Sequence, residues 1–315
     1  MTPAELKSKL AGVHAFPITP FGPSGELDLE GLQENADWLA SSGVSTIVAP
    51  SGTGELFGLS PEEALQVLEA TVDAVAGRKP VIAGVGFSGS VAAQLASGAQ
   101  RRGADGILAL PPYYANPDAQ GLVEYYQQIA RATDLGLIVY ARDSARITPT
   151  TLEILAESIP TLVSLKDGRG DVRLFQQLRD HVVQRFGSDR LVWVAGVGDD
   201  LVAPYFSVGA QGFTSSLACF WPEIAVEIFE LAAASNVEEM MGLQARSVRP
   251  FYELRQRGRG FEVSVMKAAM MCLGFKAGPA RAPLSNLSDV DVEDLRMILK
   301  QLDVPTAADR GLRPA

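Results

Sequence analysis

The sequence predicts an α/β fold, a (β/α)8 TIM barrel with a C-terminal helical extension. Three observations carry this expectation. Eight short apolar runs alternate with longer amphipathic ones, a glycine-bearing joint recurs where a helix hands over to a strand, and the alternation stops after residue 222.

The candidate strands are Val13–Ile18, Thr46–Ala49, Val81–Gly84, Ile107–Leu110, Leu137–Tyr140, Leu162–Lys166, Leu191–Ala195 and Gly212–Ser215. They are rich in Val, Ile and Leu, as strands covered on both faces tend to be. Between them, Ser60-Pro61-Glu62-Glu63 reads as an N-cap, a proline at N1 and acids in the first turn, where the helix dipole favours negative charge. Thr148-Pro149 opens the helix through Ile154 and Leu155 in the same way. Gly43-Val-Ser-Thr-Ile47, Gly103-Ala-Asp-Gly-Ile107 and Gly209-Ala-Gln-Gly-Phe213 each follow a helix and enter a strand. A glycine just past a helix end is expected to supply the left-handed C-cap there.

An open, doubly wound sheet would alternate in the same way. Its usual mark is a glycine-rich turn after the first strand. Here the first strand runs into Phe16-Pro-Ile-Thr-Pro-Phe21, which cannot cradle a pyrophosphate. Beyond residue 222 the patterns at Ile224–Ala234, Val237–Arg257, Val263–Leu273 and Val290–Leu302 all read as helices. The expected division is a barrel over 1–235, a helical segment packed on it over 236–304, and a flexible tail over 305–315.

The formal net charge of −10 is spread along the chain. That argues against nucleic acid and acidic membranes as partners, because a phosphate backbone needs a basic patch. Neither the two cysteines, Cys219 and Cys272, nor the two histidines, His14 and His181, show metal-ligand spacing. The cysteines read as buried thiols. Met1–Ala11 has no apolar signal core and no window is long and apolar enough for a span, so a cytoplasmic protein is expected.

In a barrel, chemistry sits at the C-terminal ends of strands. Three ends carry candidates: Ser51-Gly-Thr-Gly-Glu55, Tyr140-Ala-Arg-Asp143 and Lys166-Asp-Gly168. Lys166, one of seven lysines, closes the apolar run Leu162-Val-Ser-Leu165. Desolvation there would disfavour the ammonium and free the amine to attack a carbonyl. A strand-end lysine more often simply reaches solvent, and spacing alone leaves both readings open. Lys267, within the helix-like Val263–Met271, is the rival; snorkelling past methionines is its expected role. Tyr140 ends the neighbouring strand, where a phenol can shuttle a proton to and from a carbinolamine. The small residues Gly52, Thr53 and Gly54 offer amide groups and a hydroxyl to a carboxylate. Arg142 is a cation near Tyr140, and Gly196 and Ser215 end later strands and complete the candidate substrate-binding set.

Taken together, these residues resemble the dihydrodipicolinate synthase/N-acetylneuraminate lyase superfamily, and the likeness runs from Phe16-Pro-Ile-Thr-Pro to the C-terminal helices. Gly-x-Thr-Gly-Glu after the second strand, a tyrosine ending the fifth and a Schiff-base lysine ending the sixth mark that superfamily. The resemblance implies a Schiff base on Lys166, proton relay by Tyr140 and carboxylate binding at Gly52–Thr53. Several stretches are similar to its 5-dehydro-4-deoxyglucarate dehydratase branch: Gly52-Thr53-Gly54-Glu55, Arg142-Asp143, Lys166-Asp-Gly-x-Gly-Asp171, Arg259-Gly-Phe-x-Val-Ser264 and Gly278-Pro-Ala-Arg-Ala-Pro283. Synthases and sialate lyases usually carry a second threonine or serine where Gly52 stands. The chain departs from the branch at Ser51, Ala141 and Ser144, where glycine and two asparagines are usual, and its strand-8 exit, Ser215–Cys219, carries fewer hydroxyls.

The substrate so implied is a small keto diacid, 5-dehydro-4-deoxy-D-glucarate, lost to dehydration and decarboxylation with no metal or organic cofactor. The group that removes the methylene proton is left open between Tyr140 and the relay that forms the imine. The rival activities are a retro-aldol lyase or a pyruvate-condensing synthase acting on a 2-keto-3-deoxy sugar acid; a non-catalytic keto-acid-binding barrel is the remote one. The resemblance also implies a homotetramer.

Overall fold

Eight parallel strands close on one another in chain order: β1 (Gly12–Ala15), β2 (Thr46–Val48), β3 (Val81–Phe87), β4 (Gly106–Pro112), β5 (Gly136–Ala141), β6 (Leu162–Asp167), β7 (Val192–Ala195) and β8 (Gly212–Ser215), with β8 returning to pair with β1. The chain is seen in a computed structural model that describes every residue except Tyr114, Asp143 and Ala315. Helix α1 (Pro3–Lys7) precedes the barrel. The helices α2 (Leu29–Ala40), α3 (Pro61–Val75), α4 (Gly89–Arg101), α5 (Ala119–Ala130), α6 (Pro149–Ser158), α7 (Val172–Phe186), α8 (Val202–Ser207) and α9 (Pro222–Ala233) follow the eight strands in turn. The extension holds α10 (Val237–Ser247), α11 (Arg249–Arg255), α12 (Phe261–Cys272) and α13 (Asp289–Gln301). No described helix is long and apolar enough to cross a membrane.

Each expected strand is present; β8 has the expected ends, and the other seven are shifted at one end or both. β1 stops at Ala15, two residues before Pro17, which has no N–H for a ladder. Helix starts follow the capping chemistry: Ser60 accepts from the Glu63 N–H while the Glu63 side chain returns to the Ser60 N–H. The stretch Val237–Arg257 is not one helix. Pro250 has no N–H to give Arg246, and the chain breaks at Val248 into α10 and α11. Of the three joint glycines, Gly103 and Gly209 adopt φ of 82° and 96°. Gly43 does not cap in the left-handed region; a Cβ there would press on the Val226 side chain at 3.0 Å, so close packing explains it.

Two apolar cores result. The larger lies between the strands and their ring of helices. The smaller fills the barrel itself with Phe16, Val48, Ile82, Leu108, Ile138 and Val194, and Leu6 and Leu10 close its floor. His14 lies within the barrel wall, its Nε2 2.8 Å from the Leu10 carbonyl, and burial pushes it down to about 4, so it is neutral near pH 7. Side chains alternate across a strand, and Tyr140 lies opposite Lys166 in the β5–β6 register. Both therefore enter the barrel on the same level.

The segment expected to fray from Thr306 is held. Ala307 is fully buried, and the Arg310 guanidinium grips the Glu223 carboxylate at 2.5 and 2.9 Å while lying 4.7 Å over the Trp38 ring. Cys219 is buried as expected, whereas Cys272 is half-buried.

Candidate active site

A cavity of about 380 Å³ opens at the C-terminal ends of the strands. Its wall includes Lys166 and Tyr140 together with Gly52, Thr53, Arg142, Gly196 and Ser215. Gly54 does not reach it: this residue is buried behind the turn, where its carbonyl accepts from the Thr19 hydroxyl at 2.6 Å. Ser215 borders the cavity, but its Oγ accepts from the Ala218 N–H at 3.0 Å.

Lys166 is 6% exposed, and its Nζ lies 4.0 Å from the centroids of two rings, Phe16 and Tyr140. No ion pair among the described residues includes it. Opposed effects act on this amine. Each aromatic face favours the ammonium by about 0.5–2 kcal/mol, whereas taking an unpaired ammonium out of water costs several kcal/mol. Desolvation prevails, Arg142 adds repulsion, and the amine is held well below its ordinary value. The neutral, nucleophilic form is the one a carbonyl needs.

Close-approach glycines shape this geometry. A Cβ at Gly196 would lie 2.7 Å from both Cγ and Cε of Lys166, and one at Gly168 would lie 2.5–2.9 Å from the Tyr140 phenol. The Tyr140 oxygen accepts from Arg142 Nη1 at 3.1 Å, which orients its O–H. Asp167, the next residue along β6, faces away and accepts from the Tyr205 hydroxyl.

The turn after β2 is anchored from behind. Glu55 adopts φ 55°, a conformation a non-glycine residue holds only under constraint. Its carboxylate meets Lys267 at 2.7 Å and accepts from the Arg281 N–H at 2.8 Å. Lys267 also donates to the Pro279 carbonyl at 2.7 Å and lies 4.0 Å over Phe21. Lys267 therefore does not snorkel: at 1% exposure it is a sealed ion-pair partner that ties α12 to the β2 turn.

Sequence reasoning missed Phe16, Tyr252, Arg255 and Glu262 on the cavity wall. Phe16 directly follows β1 and was open to the strand-end rule; the others come from the helical extension, whose docking no local pattern reveals. The departures at Ala141 and Ser144 lie off the wall. Ala141 faces the outer core, and Ser144 donates to the Pro112 carbonyl at 2.9 Å. Ser51 does border the cavity. Asp143 lies outside the described residues.

The profile of the Dihydrodipicolinate synthetase family matches residues 9–302. The chain belongs to this family. Among curated relatives, this family member is 35% identical to the probable 5-dehydro-4-deoxyglucarate dehydratase of Bradyrhizobium sp. strain BTAi1, over 98% of this chain and 97% of that one. It is 36% identical to a protein of the same name from Xanthomonas campestris pv. campestris strain B100, over 95% and 97%. Among solved structures, dihydrodipicolinate synthase from Oceanobacillus iheyensis superposes with a TM-score of 0.89 at 30% identity, covering 96% of this chain and 99% of that one. This membership, with the names of the relatives, makes the chain a lyase of the dihydrodipicolinate synthase/N-acetylneuraminate lyase superfamily.

Proposed function

We propose that the chain is a Schiff-base-forming lyase that converts 5-dehydro-4-deoxy-D-glucarate to 2,5-dioxopentanoate, water and CO₂. The observation that carries the reading is the desolvated Lys166 amine beside the Tyr140 phenol in an open cavity. The names of the curated relatives support the choice of substrate.

Lys166 attacks the ketone, and Tyr140 relays protons as the carbinolamine loses water. The protonated imine acidifies the adjacent methylene, whose proton loss gives an enamine. The enamine expels the β-hydroxyl as water and leaves a conjugated iminium. Electrons from the bond to the distant carboxylate then flow along that conjugated chain to nitrogen, and CO₂ departs. Reprotonation and hydrolysis return the lysine. The carboxylate beside the ketone sits at the Gly52–Thr53 turn, with Arg142, Gly196 and Ser215 completing the wall. A homotetramer is part of the same proposal.

The test follows CO₂ and aldehyde from the purified protein with this diacid, with borohydride trapping and peptide mapping. CO₂ release with an adduct on Lys166 is expected, and Lys166→Ala should abolish both while keeping the fold. Pyruvate as product would move the protein to the aldolase side of the superfamily. Appreciable turnover by Lys166→Ala would end the Schiff-base reading.

A further inference from the structure

Two guanidinium groups border the cavity, on different walls and in different company. Arg142, at the end of β5, is exposed and donates to the Tyr140 hydroxyl at 3.1 Å, close to where an imine would form. Arg255 reaches the cavity from α11, beside the exit of β8. It is half-buried, its guanidinium lies 4.4 Å over the Tyr252 ring, and its Nη1 donates to the Ser216 hydroxyl at 3.2 Å. Among the described residues no carboxylate forms an ion pair with it; Asp199 and Asp200 are its acidic neighbours.

The Asp199 carboxylate is already engaged. It accepts from the Tyr252 hydroxyl at 3.1 Å, and the Asp199 N–H donates back to that oxygen at 2.8 Å. Burial pushes Asp199 up to about 6, which still leaves it mostly ionised near pH 7, but among the described residues it makes no hydrogen bond or ion pair with Arg255. The pair of bonds holds the Tyr252 ring, and Arg255 is held between that ring and the Ser216 hydroxyl. A guanidinium held in one orientation loses little rotamer freedom on meeting a carboxylate, and its donor fork matches both oxygens.

We propose that Arg255, with the Ser216 hydroxyl beside it, is the seat of the substrate's second carboxylate and makes the site selective for keto diacids over keto monoacids. The inference rests on the Schiff-base reading of Lys166. The ketone end is held at Lys166 and the Gly52–Thr53 turn, and the far end of a six-carbon chain then meets the β8 side of the mouth. Arg255 acts in binding rather than in the bond-breaking step, because an ion pair to the carboxylate that leaves as CO₂ weakens as the charge departs. Such a contact lowers KM and gives no gain in kcat. Tyr252 is a positioning residue for it.

Borohydride labelling of Lys166 tests this without turnover. The probes are 2-oxoadipate, a keto diacid with no hydroxyl to expel, and 2-oxohexanoate, which has the same length and lacks the second carboxylate. Wild-type protein should reach half-labelling at a diacid concentration about ten- to a hundredfold below that for the monoacid, the range of a charge-assisted hydrogen bond. Arg255→Gln should erase that preference while leaving monoacid labelling within about twofold, which also reports an intact site. Arg255→Lys should keep part of the preference, and Ser216→Ala should reduce it several-fold. No preference in the wild type, a preference retained by Arg255→Gln, or equal loss of both probes in Arg255→Gln and Arg255→Lys would overturn the assignment. If neither probe labels Lys166 in the wild type, the Schiff-base reading itself fails and this inference falls with it.

Discussion

Gly196 and Lys166 are in such close contact that no side chain fits between them. A Cβ on Gly196 would stand 2.7 Å from Cγ and Cε of Lys166, and 2.7 Å from the Asp167 carbonyl behind them. The lysine stem can move aside, but the carbonyl belongs to β6 and cannot do so cheaply. Gly196→Ala is therefore expected to push the amine away from the Phe16 and Tyr140 rings and to lower stability by about 1–3 kcal/mol, as overpacking does. Borohydride labelling of Lys166 by pyruvate should slow more than about tenfold, since small misplacement of a nucleophile is costly. Labelling at the wild-type rate would show that the amine tolerates displacement.

The depressed titration of Lys166 makes a stability prediction with a definite sign. Burial and the Arg142 charge hold the folded amine well below 10.5. Between that lowered value and 10.5, the unfolded chain binds a proton that the folded barrel does not, so stability rises with pH across the window. Lys166→Met keeps the bulk and removes the amine. The variant should be more stable than the wild type near pH 7, and its advantage should narrow as the pH climbs toward 10.5. Denaturant unfolding of both proteins at about pH 7 and about pH 9.5 measures this. An advantage that grew with pH would contradict the assignment of a buried, neutral amine.

Glu55 and Lys267 make a second stability test, because both side chains are sealed from water. Removing one partner of a buried pair leaves the other charge stranded and costs about 3–5 kcal/mol, whereas replacing both with apolar groups is far milder. Glu55→Gln and Lys267→Met should each fall in that range by chemical denaturation. The double variant should lose less than the sum, by an interaction energy of about 1–3 kcal/mol. Additive losses would mean that the two groups act separately. Each single variant should also raise KM, because the pair supports the turn that carries Gly52 and Thr53.

The barrel, and the placement of Lys166 beside Tyr140 at the strand ends, were readable because both rest on local rules. Short Val/Ile/Leu runs separated by capped helices specify strands, and a strand's alternation places Lys166 and Tyr140 on one face at one end. The burial of Lys267 does have a local signal. Val263-Ser-Val-Met-Lys-Ala-Ala-Met-Met271 is apolar on every side, the mark of a buried helix rather than one with a wet face for snorkelling. The break at Val248 was likewise announced by Pro250. Arg255 and Tyr252 had no such signal, because their place at the cavity depends on how α11 docks over the strand ends. Nor did Arg310, whose partner Glu223 is 87 residues away in the chain.

Gly52 is a glycine for which the backbone gives no reason. Its φ is not in the left-handed region, and an added Cβ would meet nothing within 4 Å. What a side chain there would fill is cavity. Gly52→Thr should therefore fold with stability within about 0.5 kcal/mol of the wild type, as exposed substitutions do. The new hydroxyl and methyl would narrow the space beside Thr53 and shift the bound ketone end along the cavity, which shortens the room left for the far end of a six-carbon chain but not for pyruvate. The expected result is a drop of about tenfold or more in kcat/KM for the six-carbon diacid, with pyruvate labelling of Lys166 within about twofold of the wild type. The contrast between a long and a short keto acid is what identifies space as the cause. Equal losses for both would instead point to damage at the carboxylate-binding amides, and no loss for either would mean that the substrate's chain leaves the cavity along another wall.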